Sequence, residues 1–388
     1  MASLPPPDKG SAIARVALFA LLPPAAAGGG LALAPLLGLA GFASLRPRVL
    51  LHDLRRPALW LVLLAAFTAW LALSTLWSPF GSAIQALKFA LTVSAGILFA
   101  RAASLGPALT LAAGASAALV LAALLAIEAL FGMPLNHSAN PGMLDWQLAG
   151  NPGRGAAVLT LMIWACLSFL MARGLAWGAL IAFGVAGVLA SQFGQSANIA
   201  AFGAGAIAFL AALAAPRLAI LGLGGAIAAW ILAAPFLTPL FVQALPSASL
   251  PYSWAARLEV WSYVSARIAE QPWIGHGLDA SRVDDAAIVV QGETSGAIPL
   301  HPHSASLQIW FETGAVGAVL AAACVFTGAL ALSRALAGKP HAAAAACGVL
   351  AAVGVIANLS FGAWQEWWNA AILIGAALVA AQAAWRPA

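Results

Sequence analysis

The sequence predicts an all-α polytopic membrane protein, and its composition, the length of its apolar runs and the placement of its charges all point to that class. Hydrophobic residues make up 63% of the 388 residues and charged residues only 7%. A soluble domain carries about 25% charged residues, so this chain cannot cover a water-facing surface. Its apolar runs reach roughly 20 residues, enough to cross a hydrocarbon core of about 30 Å. We therefore expect one integral membrane domain over residues 1–388.

Hydropathy divides the chain into about 12 candidate transmembrane helices. The second run is short and the tenth is long, so a tilted or broken helix is expected in both. The runs cover residues 12–27, 29–45, 58–77, 83–100, 107–130, 154–172, 175–190, 196–215, 218–240, 304–332, 342–360 and 369–385.

The basic residues predict the orientation of these spans. With both termini in the cytoplasm, 12 of the 17 lysines and arginines fall on the inner side, as the positive-inside rule requires. The net charge of +5 is explained in the same way, since its basic residues lie in short connectors between spans. We therefore expect membrane lipids around the chain and no nucleic-acid partner.

The same topology leaves one large outer loop, at about residues 241–303, and a shorter one at about 132–153. From Ser253 to Glu270 the large loop reads SWAARLEVWSYVSARIAE, with apolar residues at helical spacing. We expect an amphipathic helix at about 253–270, ended by Gln271-Pro272.

A cluster of protonatable residues closes the large loop and opens the tenth span. It reads His301-Pro302-His303-Ser304 and continues into Leu307-Gln308 and Glu312-Thr313-Gly314. A neutral imidazole has a pKa near 6.5 and can take a proton from a hydroxyl group at physiological pH. His303 is therefore a candidate general base, and the alternative is an interfacial histidine that only caps the helix.

These residues form an ordered set with two earlier stretches. Arg257 is followed by Trp261, and Gln271-Pro272-Trp273-Ile274-Gly275-His276-Gly277 comes next. The set resembles the O-antigen ligase family, whose wider group includes O-antigen and capsular polysaccharide polymerases. The resemblance implies a GT-C-like helical bundle with its active site in the large periplasmic loop. It also implies inverting, metal-independent and cofactor-free transfer of a glycan from undecaprenyl pyrophosphate to lipid A–core, or another acceptor, at the bacterial inner membrane.

The resemblance also suggests roles for individual residues. His303 would be the general base, supported by His301, while Arg257 and Arg154 would hold the pyrophosphate. A guanidinium matches phosphate oxygens with two parallel hydrogen bonds and stays charged. The alternatives are an ion pair with Glu259 or a lipid headgroup contact for Arg257, and a side chain that extends to the membrane surface for Arg154.

One position departs from the family pattern. Many members carry a basic residue after a serine at the start of the eighth span, and residues 191–198 contain none. Either polar groups replace that charge or Arg154 supplies it; the polar candidates are Gln195, Ser196 and Asn198.

Further residues join the candidate substrate site with a structural alternative beside them. Trp261 and Gln308 belong to the ordered set, and Glu312 either orients the site or ties span ten to a neighbouring helix. Other groups are interpreted more simply. An interfacial belt is expected for Trp60, Trp70, Trp77, Trp364, Trp367 and Trp368, and solvated loop charges for Arg267, Arg282, Asp279, Asp284 and Asp285.

Two other functions stay open. A polymerase of the same superfamily differs only in its acceptor, which is a second lipid-linked repeat. A lipid-linked sugar transporter or flippase would also have many spans, but its ionisable groups are expected near the membrane midplane.

Overall fold

A computed structural model describes residues 9–245 and 247–386, and helices dominate both ranges. In chain order these helices are α1 Lys9–Ala27, α2 Leu33–Ala43, α3 Pro47–Leu54, α4 Leu59–Ser74, α5 Ile84–Leu105, α6 Pro107–Leu130, α7 Pro134–Ala139, α8 Asp145–Leu148, α9 Gly150–Ala172, α10 Ala176–Ala190, α11 Ser196–Ala214, α12 Pro216–Ala244, α13 Tyr252–Glu270, α14 Ala305–Ala335, α15 Pro340–Leu359 and α16 Glu366–Ala384.

Each of the predicted apolar runs is occupied by a helix. Within the described residues, 9 helices are long and apolar enough to cross a membrane. The other three runs hold the shorter helices α2, α4 and α10. Helix α2 has 11 residues and spans only about 16 Å, because an α-helix rises 1.5 Å per residue. The all-α polytopic membrane fold is confirmed, and three of its apolar helices are shorter than a full span.

The helices pack around two apolar cores. The first is centred on α9, α15 and α16, where the indole of Trp164 is fully buried. A Cβ atom on Gly205 would lie 2.3 Å from that indole, and one on Gly348 would lie 2.5 Å from it. These glycines therefore let α11 and α15 close around the ring. The second core joins α4, α12, α13 and α14, on both sides of Gly314.

Helix α14 is broken at Gly314, as the length of the tenth run leads us to expect. Gly314 has φ 63° and ψ −166°, which interrupts the helical hydrogen bonds. The backbone groups that lose their helical partners at this break form hydrogen bonds with the segment from Pro272 to Gly277. The N–H groups of His276 and Gly277 donate to the carbonyl oxygens of Phe311 (2.8 Å) and Glu312 (2.9 Å), and the N–H of Ala315 donates to Pro272 (2.8 Å). The break is thus held by a backbone ladder to the large loop.

The large loop has more regular structure than the sequence analysis predicts. Helix α13 runs from Tyr252 to Glu270, where an amphipathic helix is expected. A hairpin follows, in which β1 (Ala287–Val290) pairs antiparallel with β2 (Glu293–Gly296). Its turn residues Gln291 and Gly292 both have positive φ, which is typical of a two-residue turn. The fold is therefore not purely helical, and glycine after a β-branched run is the signal for this hairpin.

Replacing Gly314 by alanine should destabilise the protein. A Cβ there would lie 2.4 Å from the backbone carbonyl of Trp273, and the backbone region itself costs a non-glycine residue roughly 1–3 kcal/mol. Thermal unfolding in detergent should show a clearly lowered Tm. Gly328→Ala on the same helix is the control, because its Cβ would meet nothing closer than 4.0 Å. Equal Tm values for the two variants would contradict this account of the break.

Candidate active site

His303 lies in a turn just before α14, with its ring held from one side. Its φ of 54° places the backbone in the left-handed region, and Ser304 caps the helix that follows. The Nδ1 atom lies 2.6 Å from the carbonyl oxygen of Ser360, in the connection between α15 and α16. A carbonyl only accepts, so Nδ1 carries the proton of the neutral ring. The Nε2 atom then has a free lone pair, and no hydrogen bond to another described residue occupies it.

His301 supports this arrangement from the other side. Its ring lies 4.5 Å from that of His303, and its Nδ1 accepts the backbone N–H of His303 at 3.2 Å. Its Nε2 lies 3.1 Å from the side-chain amide of Gln365. Because Nδ1 accepts, Nε2 carries the proton; the amide nitrogen of Gln365 lies at this contact and its buried oxygen has no partner among the described residues, so the amide turned by 180° accepts that proton. This donor–acceptor pattern holds His301 in its neutral form.

Burial keeps both imidazoles neutral. It lowers the pKa of His301 to about 3, and the charges of His303, Arg282 and Arg257 act in the same direction. Burial also lowers the pKa of His303 below its ordinary value, and the charge of Arg257 adds to that effect. The hydrogen bond to Ser360 works against it. His303 is therefore unprotonated at neutral pH, as a general base must be.

Helix α13 carries Trp261 and Arg257 to this pair. The indole N–H of Trp261 donates to the carbonyl oxygen of Pro302 at 2.8 Å, which ties the helix to the turn between the histidines. Arg257 lies one helical turn earlier, on the same face of α13. Its positive charge lowers the pKa of both imidazoles.

Arg257 has no anionic partner among the residues that the structure describes. Its Nη1 donates to the carbonyl oxygen of Ser253 at 2.6 Å, and its guanidinium lies 5.1 Å from the ring centre of Trp254. Its Nε atom is buried and makes no hydrogen bond to a described residue. Burial lowers the pKa of this guanidinium, which nevertheless stays charged at neutral pH. No ion pair with Glu259 forms, so an anionic ligand would find an open partner here.

Arg154 lies near the start of α9. Its Nη1 is 3.5 Å from the carbonyl oxygen of Gly29, and its guanidinium lies 5.8 Å from the ring centre of Trp367. The Trp367 ring in turn lies 4.6 Å from Phe361, the residue after Ser360. Arg154 is thus connected to the His303 turn through two aromatic rings.

The polar residues at the start of α11 meet α9 beside Arg154. The amide nitrogen of Asn198 donates to the carbonyl oxygen of Gly153 at 2.9 Å. A Cβ on Gly153 would lie 2.3 Å from the Gln195 amide, whereas Ser196 is exposed. The position that lacks a basic residue and the position of Arg154 are therefore neighbours. Both candidates for the missing charge, the polar groups and Arg154, therefore lie in the same part of the site.

Glu312 is fully buried, and its carboxylate holds together several segments of the chain next to His301. Its Oε1 accepts from Ser281 (2.6 Å) and from Gln308 (3.0 Å). Its Oε2 accepts from the backbone N–H of Asp279 (2.7 Å) and from the indole of Trp364 (2.6 Å). Gln308 also accepts the backbone N–H of Ala363 at 2.8 Å. Every hydrogen bond of the Glu312 carboxylate is to another residue of the protein, so the side chain ties the start of α14 to the large loop and to Trp364.

The comparison with known families agrees with the resemblance that the motifs suggest. Residues 178–322 match the family model described as O-antigen ligase, and this range contains Arg257, both histidines and Glu312. The resemblance to the O-antigen ligase family is confirmed.

Relatives in Rickettsia carry a related name. A protein of Rickettsia conorii, provisionally named polysaccharide ligase, is 27% identical over 227 residues, which is 55% of this chain and 54% of the relative. A protein of Rickettsia bellii with the same provisional name is 30% identical over 230 residues, or 56% of this chain and 54% of the relative. The chain thus spans about half the length of the relatives it matches.

Beside the O-antigen ligase motifs lie four residues that the sequence analysis did not assign to the site. Ser360 and Gln365 hold the two imidazoles. Asp279 and Arg282 pair at 3.0 Å next to His301. The expectation that Asp279 is a solvated charge is wrong, since it is only 2% exposed. Asp279 comes two residues after the Gly275-His276-Gly277 motif, and this position in the sequence could have indicated that it belongs to the site.

The tryptophans in the last connection and at the start of α16 are also not an interfacial belt. Trp364, Trp367 and Trp368 are 3%, 4% and 1% exposed. Trp364 packs against Phe67 and Phe89, and the other two pack against Phe361. These three indoles form a buried layer of aromatic rings next to the site.

Replacing Glu312 by glutamine should destabilise the site. The new amide nitrogen cannot accept a hydrogen bond, so it leaves at least one of four buried donors unpaired, at roughly 1–3 kcal/mol. Thermal unfolding in detergent should show a lower Tm. Glu293→Gln, at an exposed position of the hairpin, is the control. A Tm equal to that of the parent would show that the carboxylate does not hold these segments together.

Proposed function

We propose that this protein is a membrane glycosyltransferase of the ligase type. It moves a glycan from an undecaprenyl-pyrophosphate carrier to lipid A–core, with inversion at the anomeric carbon. His303 acts as the general base, and Arg257 and Arg154 bind the pyrophosphate.

The reaction needs one base and a stabilised leaving group. The acceptor hydroxyl gives its proton to Nε2 of His303 while its oxygen forms a bond to the anomeric carbon of the donor. The bond from that carbon to the phosphate oxygen breaks, and the pyrophosphate leaves with the electron pair. Two guanidinium groups stabilise the negative charge that develops there.

The observation that carries the proposal is the juxtaposition of an unprotonated imidazole nitrogen with an unpaired guanidinium. The hydrogen bond to Ser360 assigns the proton to Nδ1 of His303 and leaves Nε2 as the base. Arg257 is only half-buried and has no anionic partner among the described residues, so its guanidinium can take up a phosphate. A base and an anion site beside each other are what an inverting transfer from a pyrophosphate requires.

The charge distribution along the chain supports a periplasmic location for this site. Arg154, Arg257 and both histidines fall on the side opposite to most basic residues, which marks the outer face of a bacterial inner membrane. A transporter is less well supported, because these groups gather at one end of the bundle and not at its midplane.

The proposal is tested with the variant His303→Asn in purified full-length protein. Asparagine tolerates the left-handed backbone, and its amide N–H can still donate to Ser360, but it offers no basic nitrogen. With a lipid-linked glycan and lipid A–core, transfer should fall by roughly 10²–10⁴-fold, the usual contribution of a general base. Donor binding should be retained.

His137→Asn is the matched control, since this half-exposed histidine pairs with Asp145 away from the site. Unchanged transfer by His303→Asn would refute the assignment of the base. A second lipid-linked repeat is supplied in parallel as acceptor. Transfer to the repeat but not to lipid A–core would replace the ligase with a polymerase.

The kcat/KM for transfer, which reports the pKa values of the free protein, should be constant at neutral and alkaline pH and fall only in acid. The unprotonated base is the active form, and burial and Arg257 lower the pKa of His303. The midpoint of the acid limb should therefore lie below about 6.5, the ordinary value for histidine. In Arg257→Gln the remaining activity should show a midpoint at higher pH, because a repelling charge is gone.

Arg267→Gln serves as the control for that shift, because this arginine on the same helix already pairs with Glu270. Its acid limb should coincide with that of the parent. An acid limb above pH 6.5 in the parent, or no shift in Arg257→Gln, would contradict the placement of Arg257 beside the base.

A further inference from the structure

A second buried carboxylate lies in the last turn of α6, and the mechanism above does not use it. Glu128 is fully buried, and both of its oxygens accept hydrogen bonds. Its Oε1 accepts the backbone N–H of Leu135 at 2.9 Å, and its Oε2 accepts the side-chain amide of Asn136 at 2.6 Å. A buried carboxylate needs such donors to offset the loss of water. Glu128 therefore holds the start of α7 against α6.

The side chain of Asn136 connects Glu128 to α9 with a defined polarity. A carboxylate only accepts, so the Nδ2 atom of Asn136 faces Glu128, and it also donates to the carbonyl oxygen of Ala27 at 3.2 Å. The Oδ1 atom of Asn136 then faces the other way and accepts the Nδ2 of Asn151 at 3.0 Å. These two steps fix the orientation of the Asn151 amide. We call Glu128, Asn136 and Asn151 the Glu128 network.

The Glu128 network ends beside Arg154. Asn151 and Arg154 are three residues apart in the first turn of α9, so their side chains lie on one face of the helix. A Cβ on Gly29 would lie 2.6 Å from Oδ1 of Asn151 and 3.5 Å from Nη1 of Arg154. Both side chains therefore border the same point of the turn between α1 and α2. Gly29 has φ 104° there, and its carbonyl oxygen is the one that Arg154 contacts.

The network also holds the turn that supports the Arg154 guanidinium. Asn136 binds this turn at Ala27, where α1 ends. At its other end, a Cβ on Gly30 would lie 3.0 Å from the ring of Trp367. Trp367 is the ring whose centre lies 5.8 Å from the guanidinium of Arg154. The turn and the ring that surround Arg154 thus depend on a segment that Asn136 fixes.

We propose that Glu128, Asn136 and Asn151 are positioning residues that hold Arg154 in place for the donor pyrophosphate. The inference rests on the proposed function, in which Arg154 is the second pyrophosphate ligand. A long arginine side chain loses rotamer freedom when it is held in one geometry, and a guanidinium binds two phosphate oxygens only when its plane is correctly oriented. Disturbing the network should therefore weaken binding of the donor and leave binding of the acceptor unchanged.

Two variants interrupt the Glu128 network at different points. Glu128→Gln places an amide nitrogen against one of the two donors that the carboxylate accepts. Asn151→Ala removes the last link, at a half-buried position, and leaves Glu128 and Asn136 paired. Their matched controls are Glu293→Gln, at an exposed position of the hairpin, and Asn140→Ala on α7, whose amide donates to the backbone carbonyl of Asn136.

The binding test uses farnesyl pyrophosphate, a short prenyl pyrophosphate, with full-length protein in detergent and isothermal titration calorimetry. Arg154→Gln, Glu128→Gln and Asn151→Ala should each weaken binding about tenfold, the effect expected when a hydrogen-bonded contact to a charged group is lost. Both controls should match the parent. When Arg154→Gln is already present, either network variant should cause no further loss, because it acts through that guanidinium.

The outcomes separate this inference from the proposed function. Losses that add in the double variants, or unchanged binding in Asn151→Ala, would overturn the inference even if Arg154→Gln weakens binding. Unchanged binding in Arg154→Gln would overturn it together with the role of Arg154 in the proposed function.

The transfer assay adds a second measurement. Both network variants should raise the KM for the lipid-linked donor and leave the KM for the acceptor unchanged. An equal rise in both KM values would indicate a general structural defect and contradict a positioning role. If Glu128→Gln fails to fold, Asn151→Ala alone decides the question.

Discussion

The arrangement of the candidate active site depends on the buried carboxylate of Glu312. Removing a charge from water costs several kcal/mol, and this is offset only when its hydrogen-bonding capacity is filled. Four donors from three separate stretches of chain fill it, namely Asp279 and Ser281 in the large loop, Gln308 on α14 and Trp364 before α16. Because the buried carboxylate needs all of these hydrogen bonds, it fixes the large loop against the start of α14 and against the segment before α16.

The break in α14 and this carboxylate act as one unit. Glu312 can reach the loop because the helix opens two residues later, at Gly314, and because the strip from Pro272 to Gly277 pairs with the freed backbone groups. Glycine is required on both sides of this contact, since a Cβ on Gly275 would lie 2.6 Å from the backbone at Glu312. The first turns of α14 thus contact both the loop and the bundle, since Trp310 donates to the carbonyl oxygen of Ile231 on α12 and Thr313 accepts from Trp70 on α4.

Much of the fold follows from the sequence, because long apolar runs have few alternatives in a bilayer. The motif also identifies His303 and Arg257, whose chemistry is visible in the residue types themselves. The partner of His301 could not be predicted from the sequence, because Gln365 is 64 residues away and an amide side chain follows no distinctive sequence pattern. The tryptophans at 364, 367 and 368 were misplaced for a related reason. Composition alone does not distinguish an indole that faces lipid headgroups from one buried against Phe361.

In the proposed reaction, the charge of Arg257 links donor binding to the strength of the base, because it lowers the pKa of His303. In the free protein the guanidinium charge lowers the pKa of His303 and makes it a weaker proton acceptor. In the proposed reaction, a bound pyrophosphate neutralises that charge and removes the repulsion. The imidazole then accepts the proton of the acceptor hydroxyl more readily, and the imidazolium that forms faces an anion in place of a cation. The base is thus strongest only when the donor is in place, which favours glycan transfer over premature proton uptake from the solvent.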